Sequence, residues 1–192
     1  MGRPPVSGLT ESLLEAAERI MVTQGYSGLT VDGLVTEVGT TRPTFYRRFP
    51  NVAHIALEVV RNRFGTGTAV NTGSLREDLM TLQKDEVAMF SSPLLRNNLG
   101  GLLEAARADP ELLVLYGSEF IGPRRANVFR VVDAAVRRGE VSKLDVDIDF
   151  VCDLLLGPIL SRALMPSGSP LDDHLAEQTT EAVLRSLNAR SS

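Results

Sequence analysis

A single cysteine, Cys152, rules out a disulfide within the chain. It lies in an apolar helical pattern, which favours a small buried hydrophobe over a redox sensor. His54 and His174 fall in different regions, and neither has metal-ligand spacing to Cys152. No metal site and no cofactor are therefore expected. Asp172-Asp173-His174 carries acid/base groups, but it opens a helix after a proline-rich turn, where acidic residues cap the helix and suit its dipole. No histidine adjoins the cysteine, so no catalytic constellation and no enzyme is expected. The longest apolar stretch, near Val151 to Leu160, is interrupted by Asp153, Gly157 and Pro158, too early for a membrane span. The N-terminus shows no basic-then-apolar segment ending in a cleavage site. Together these point to the reducing cytoplasm.

An excess of basic charge is lacking as well: the formal net charge is -4. Its distribution says more than its sum. Met1 to Phe64 holds seven Lys/Arg against six Asp/Glu, and the remainder thirteen against eighteen. Basic residues gather at Arg42, Arg47 and Arg48. A compact reader of nucleic acid needs local positive potential, not a basic whole protein.

The hydrophobic fraction of 43% and charged fraction of 23% are those of a folded chain, and its periodicity is helical throughout. Nothing supports strands, so the expected class is all-α. Thr10 is positioned to cap a first helix with the stripe Leu13, Leu14, Ala17, Ile20 and Met21, ended by Gly25. Thr30 caps a second, Val31 to Val38, and Gly39 makes the turn. Thr40 or Thr41 caps a third, with Pro43 in its first turn, where a missing N–H costs nothing. Phe45 and Phe49, four apart, anchor that helix, and Pro50 closes the unit. A fourth helix runs from near Asn51 toward Phe64, followed by a flexible interruption, Gly65 to Ser74. Further helices are expected over Leu75 to Phe90, Pro93 to Ala108 and Pro110 to Arg138, the last broken or kinked near Gly117 and Gly122-Pro123. Two more, Asp147 to Met165 and Leu171 to Asn188, are joined by the turn sequence PSGSP.

A helix that enters a DNA groove needs an anchored underside, a leading turn at the base edges and flanking groups on phosphate. Leu29 to Pro50 supplies all three. Phe45 and Phe49 anchor, Thr41, Arg42, Pro43 and Thr44 lead, and Tyr46 and Arg47 adjoin. Arg42 suits either a two-pronged contact to guanine or a phosphate, and the sequence leaves both open. Thr44 offers a hydroxyl; Tyr46, Arg47 and Thr30 suit the backbone, though Tyr46 equally suits packing against a neighbouring helix, and Arg48 is either structural or paired with the first helix. The arm Met1 to Leu9 is a frayed terminus or places Arg3 in a minor groove.

The span from Leu13 to Ile55 resembles the N-terminal domain of the TetR family of transcriptional regulators. The matching marks are Ala16-Ala17, Gly25-Tyr26, Thr30-Val31, Gly39, Thr44-Phe45-Tyr46 and Phe49. Further along, LLEAARADPEL, GPRRANVFRVVDAAVRRGEV and FVCDLLLGPILSRAL resemble one TetR-type regulatory domain. The resemblance implies a dimer, usually a repressor, that releases DNA when a small ligand binds in the helical body. It also implies that Thr30, Thr41, Arg42, Pro43, Thr44, Tyr46 and Arg47 face DNA. The family often has Lys-Gly at Arg42-Pro43, so operator preference does not carry over, and a small alanine at Val35, whose extra bulk is expected to alter the spacing of the first two helices unless nearby residues repack.

The expected organisation is a three-helix helix-turn-helix unit over 1–50 and a larger helical ligand-binding and dimerisation domain over 51–192. For a homodimer through the last two helices, Phe150, Val151, Leu154, Leu155, Ile159 and Leu164 supply one face. Leu171, Leu175, Val183, Leu184 and Leu187 supply the other, with burial inside one chain the competing explanation. Met89, Phe90, Leu102, Tyr116, Phe120 and Phe129 are the candidate lining of a pocket for a small apolar organic ligand, or else ordinary core. Asn97-Asn98 and Arg124-Arg125 are expected to face solvent, with a place near the entrance of such a pocket as the alternative. The resulting expectation is a ligand-responsive regulator binding double-stranded DNA at two half-sites. The alternative is a dimeric ligand-binding or protein-interaction module without specific DNA binding.

Overall fold

A computed structural model describes residues 8–141, 146–165 and 168–188. The regular elements among the described residues are all helices, and the chain divides into two compact units that do not follow chain order. The first contains the chain up to Gly65 together with Pro93–Glu119; the second contains Thr66–Ser92 and the chain from Phe120 onward.

In the first unit, α1 (Gly8–Gln24) is the central element. Its buried stripe, Leu13, Ala16, Ala17, Ile20 and Met21, recurs at three- and four-residue spacing and packs against α2 (Val31–Val38), α4 (Val52–Phe64) and the one-turn α6 (Pro93–Arg96). The paired alanines keep the neighbouring helices close. Thr10 lies inside α1 instead of capping it, and its hydroxyl accepts a hydrogen bond from Arg48 Nε at 3.1 Å. The short α3 (Arg42–Tyr46) follows α2, and α7 (Leu99–Ala108) and α8 (Pro110–Leu115) complete the unit.

The helix expected over Pro93 to Ala108 is interrupted at Asn97-Asn98. Asn98 is fully buried, not solvent facing. Its side-chain nitrogen donates to the Leu94 carbonyl at 2.6 Å and the Met21 carbonyl at 2.8 Å. The side chain thus takes an acceptor that a continuing helix would use for its own backbone.

The second unit packs α5 (Leu75–Ser91) against α9 (Gly122–Arg138), α10 (Ile148–Leu164) and α11 (Asp173–Ser186). Its core combines Leu75, Leu79 and Leu82 with Val131, Val132, Val151, Leu155, Val183 and Leu184. Where a break or kink was expected, before α9, Tyr116–Ile121 forms a π-helical segment. Pro123 has no N–H and its ring would clash with the Glu119 carbonyl in a regular helix; the widened turn removes that conflict.

Most of the apolar stripe expected for the last helix is consumed within its own chain: Leu175, Val183, Leu184 and Leu187 are buried, and Leu171 is partly so. The same holds for Val151, Leu155 and Ile159 of α10. Phe150, Leu164 and the following Met165 remain exposed. The connector 142–145 and the first two residues of PSGSP lie outside the described residues.

Candidate nucleic-acid interface and internal cavity

Thr30 enters α2 in an extended conformation, and its hydroxyl accepts the Gly33 N–H at 3.1 Å. At the far end Gly39 adopts φ 70° and ψ 38°, a left-handed conformation that L side chains resist. Thr40 then donates to the Val35 carbonyl at 2.8 Å, which turns the chain toward α3. Thr41 is extended, and its carbonyl accepts the N–H groups of Thr44 and Phe45 at 2.9 and 3.0 Å.

Phe45 is fully buried and Phe49 nearly so, with ring centroids 5.8 Å apart. They fix the underside of α3 and leave Thr41, Arg42, Pro43, Tyr46 and Arg47 exposed, with Thr30 exposed on the neighbouring helix. Tyr46 meets the edge of Phe45 at 5.5 Å between centroids, yet is 53% exposed. Thr44 does not join this outer face. It is buried, and its hydroxyl is shared between Thr41 Oγ1 and Arg47, each at 3.0 Å. Its visible role is to hold the Arg47 guanidinium. Arg48 donates to Thr10 Oγ1 and to the Thr44 carbonyl, both at 3.1 Å, so it ties the end of α3 to α1. Arg3 lies outside the described residues.

The sequence did not anticipate Asp32. Both carboxylate oxygens receive hydrogen bonds from Arg42, through Nε and a terminal nitrogen. The bonds from Arg42 hold the Asp32 carboxyl below its ordinary range and push the guanidinium up. Both side chains remain exposed.

The second unit contains a cavity of about 60 Å³. Three of the six expected ligand residues, Met89, Phe90 and Phe120, line it. The others do not. Leu102 is core of the first unit, Tyr116 also belongs to that unit, and Phe129 is 45% exposed beside a shallow depression with Val136 and Ile148. Apolar residues form much of the wall, but Glu86, Arg124, Arg125, Asn127 and Cys152 also contribute.

Arg124 was expected in solvent, yet its side chain is only 11% exposed. Its guanidinium reaches Glu86 at 2.7 Å and lies 4.7 Å over the Phe120 ring. Burial pushes the Glu86 carboxyl up, and Arg124 opposes that shift. Arg125 is engaged by Asp149 at 2.8 Å and Asp153 at 3.1 Å. Cys152 is buried, and desolvation pushes its thiol up, away from the reactive thiolate.

Residues 13–59 match the model of bacterial regulatory proteins of the tetR family. Residues 69–183, more than half of the chain, match the tetracyclin repressor-like C-terminal domain. The chain belongs to the TetR family. It is therefore a DNA-binding transcriptional regulator, from a family of regulators and not of enzymes.

Two relatives match along nearly the whole chain. An uncharacterized HTH-type transcriptional regulator of Mycobacterium tuberculosis (strain ATCC 25618 / H37Rv) is 29% identical over 187 residues, covering 95% of this chain and 90% of that protein. One from Bacillus subtilis (strain 168) is 25% identical over 182 residues, covering 94% and 91%. A crystal structure of a TetR family transcription regulator superposes with a TM-score of 0.68 at 25% identity, covering 96% of this chain and all of that one. A putative transcriptional regulator from Saccharomonospora viridis, solved in complex with choline, has the same TM-score at 20% identity, covering 93% and 96%. That last likeness shows the fold.

Among the described residues, no group of three or more His, Cys, Asp or Glu is placed to hold a metal ion. No helix of theirs is long and apolar enough to cross a membrane.

Proposed function

We propose that this TetR-family chain is a ligand-responsive repressor that binds, as a homodimer, an operator of two half-sites. The observation that carries the reading is the asymmetry of α3: Phe45 and Phe49 are buried below it while Arg42, Tyr46 and Arg47 stand in solvent above. Thr41, Arg42 and Pro43 face base edges, and Thr30, Tyr46 and Arg47 face phosphate. Thr44 positions Arg47, and Arg3 follows the minor groove. In this reading residues 1–50 read DNA, residues 51–192 bind ligand and dimerise, and the protein works in the cytoplasm.

One five-residue helix reads few base pairs, and twofold pairing supplies a second reading head at a fixed separation. The exposed Phe150, Leu164 and Met165 leave apolar surface on and just after α10 for that pairing, and α11, whose apolar stripe is largely buried in its own chain, joins it through its outer side. The cavity beside Met89, Phe90 and Phe120 is the receptor for a small organic effector. The choline complex of the Saccharomonospora viridis regulator supports this, since a small organic molecule occupies a protein of similar fold.

Turning operator occupancy from 99% to 1% requires the effector to favour the DNA-incompetent state by about 5.5 kcal/mol. Selection of bound genomic fragments by the purified full-length protein tests the reading. A recurrent two-part site supports it; equal weak binding to unrelated duplexes leaves a helical binding module without specific DNA recognition.

A further inference from the structure

The Arg124 guanidinium occupies a slot whose two walls are those of a cation receptor. One is the face of the Phe120 ring and the other is the Glu86 carboxylate, both largely withdrawn from water. An aromatic face and a carboxylate in a desolvated site are the partners an organic cation seeks, and desolvation strengthens both. The rest of the wall includes Leu82, Met89, Phe90 and Leu155, which suit methyl or alkyl groups.

Around the cavity four carboxylates, Asp85, Glu86, Asp149 and Asp153, outnumber the guanidiniums of Arg124 and Arg125, which favours the same sign of guest. Asp85 and Glu86 both line it. Of the two arginines in the wall, Arg125 is already engaged by Asp149 and Asp153, and Arg124 by Glu86. An anionic guest that drew Arg124 away would leave Glu86 buried beside a second negative charge. A cationic guest leaves the Glu86 carboxylate paired, and the cost falls on the released Arg124 guanidinium, which must find water or another partner.

We infer that the cavity of the second unit is a receptor for a small alkylammonium-type cation, which takes the place of the Arg124 guanidinium between Phe120 and Glu86. This rests on the ligand-responsive reading and supplies its chemical class. Arg124 also has a route by which its displacement is felt. A Cβ at Gly67, where φ is +81°, would fall 3.4 Å from Arg124 Nη1 and 2.9 Å from Asn127 Nδ2. Asn127 in turn donates to the Thr66 carbonyl at 3.1 Å. Thr66 to Thr68, the chain just after α4, is thus packed on the residue that the guest displaces.

The test is calorimetric titration of the full-length protein with three probes of similar shape: tetramethylammonium, tert-butanol and pivalate. Tetramethylammonium should bind at least about tenfold more tightly than the neutral and anionic probes. Pivalate binding best, or all three binding alike, overturns the inference without any variant. Glu86→Gln should lower tetramethylammonium affinity about tenfold, and Arg124→Met, which removes the competing cation, should raise it. An unchanged affinity in a folded Glu86→Gln protein contradicts the inference, and the three-probe ranking decides if that variant does not fold. Fragment selection without any probe reports on the DNA reading separately, so the two failures are distinguishable.

Discussion

Arg42, the first residue of α3, is clasped through two of its nitrogens by the carboxylate of Asp32, in the first turn of α2. The pair joins the two helices of the DNA-reading unit on their exposed side. It also places a negative charge beside the arginine most expected to meet DNA, so part of the attraction of Arg42 for a duplex is offset before contact.

Asp32→Ala should therefore strengthen binding to unrelated duplexes several-fold at low salt and steepen the salt dependence by about one counterion. Arg42→Ala should do the reverse and lower affinity for a selected operator about tenfold or more. Fluorescence anisotropy across a salt series checks both. Identical slopes for the two variants and the parent would place this pair outside the interface.

The hydroxyl of Thr30 satisfies the Gly33 N–H at the start of α2. Thr30→Ala should cost about 1 kcal/mol of stability, and Thr30→Ser should restore most of it. Urea unfolding midpoints measure the difference. No loss in Thr30→Ala would mean that water caps α2 equally well.

Asn98 spans α1 and α6 by donating to the Met21 and Leu94 carbonyls from a fully buried position. Asn98→Ala should lower stability by about 2 kcal/mol, because two buried acceptors lose a donor and a cavity opens. The same unfolding experiment decides, with a shift below a few tenths of that size contradicting the assignment.

Helical periodicity in the sequence located α2 at Val31–Val38 and the buried pair Phe45 and Phe49, because local spacing and caps determine them. What it missed depends on contacts made far along the chain. The break at Asn98 needs the Met21 carbonyl, 77 residues away, as partner. The burial of Arg124 needs Glu86, 38 residues earlier. An arginine read in isolation is a solvated charge, so Arg124-Arg125 looked like surface. The stripe of α11 was legible as apolar, but periodicity cannot say whether such a face packs on its own chain or on another. Here Leu175, Val183 and Leu184 pack on their own. Asp32 was passed over because an acidic residue in a first turn already has a sufficient reason to be there.

Asp109 caps α8 by accepting from the N–H groups of Glu111 and Leu112 at 3.1 and 3.2 Å. These bonds, the one from Leu112 foremost, hold its carboxyl below the ordinary value. Its folded-state pKa is thus depressed relative to the unfolded chain. The stabilisation is fully present above the unfolded value, near 4, and is lost as pH falls through the folded one. Asp109→Asn should accordingly be less stable than the parent at neutral pH, with the gap closing below about pH 4. Unfolding midpoints taken along a pH series check the sign; a gap that widens in acid contradicts it.

The most direct test of the central claim is footprinting of the full-length protein on a fragment selected from genomic DNA, beside the Arg42→Ala and Arg47→Ala variants. Two protected half-sites, related by twofold symmetry and separated by about one or more helical turns, should appear and fade in both variants. Uniform, salt-sensitive protection of any duplex, unchanged by either substitution, would contradict the account.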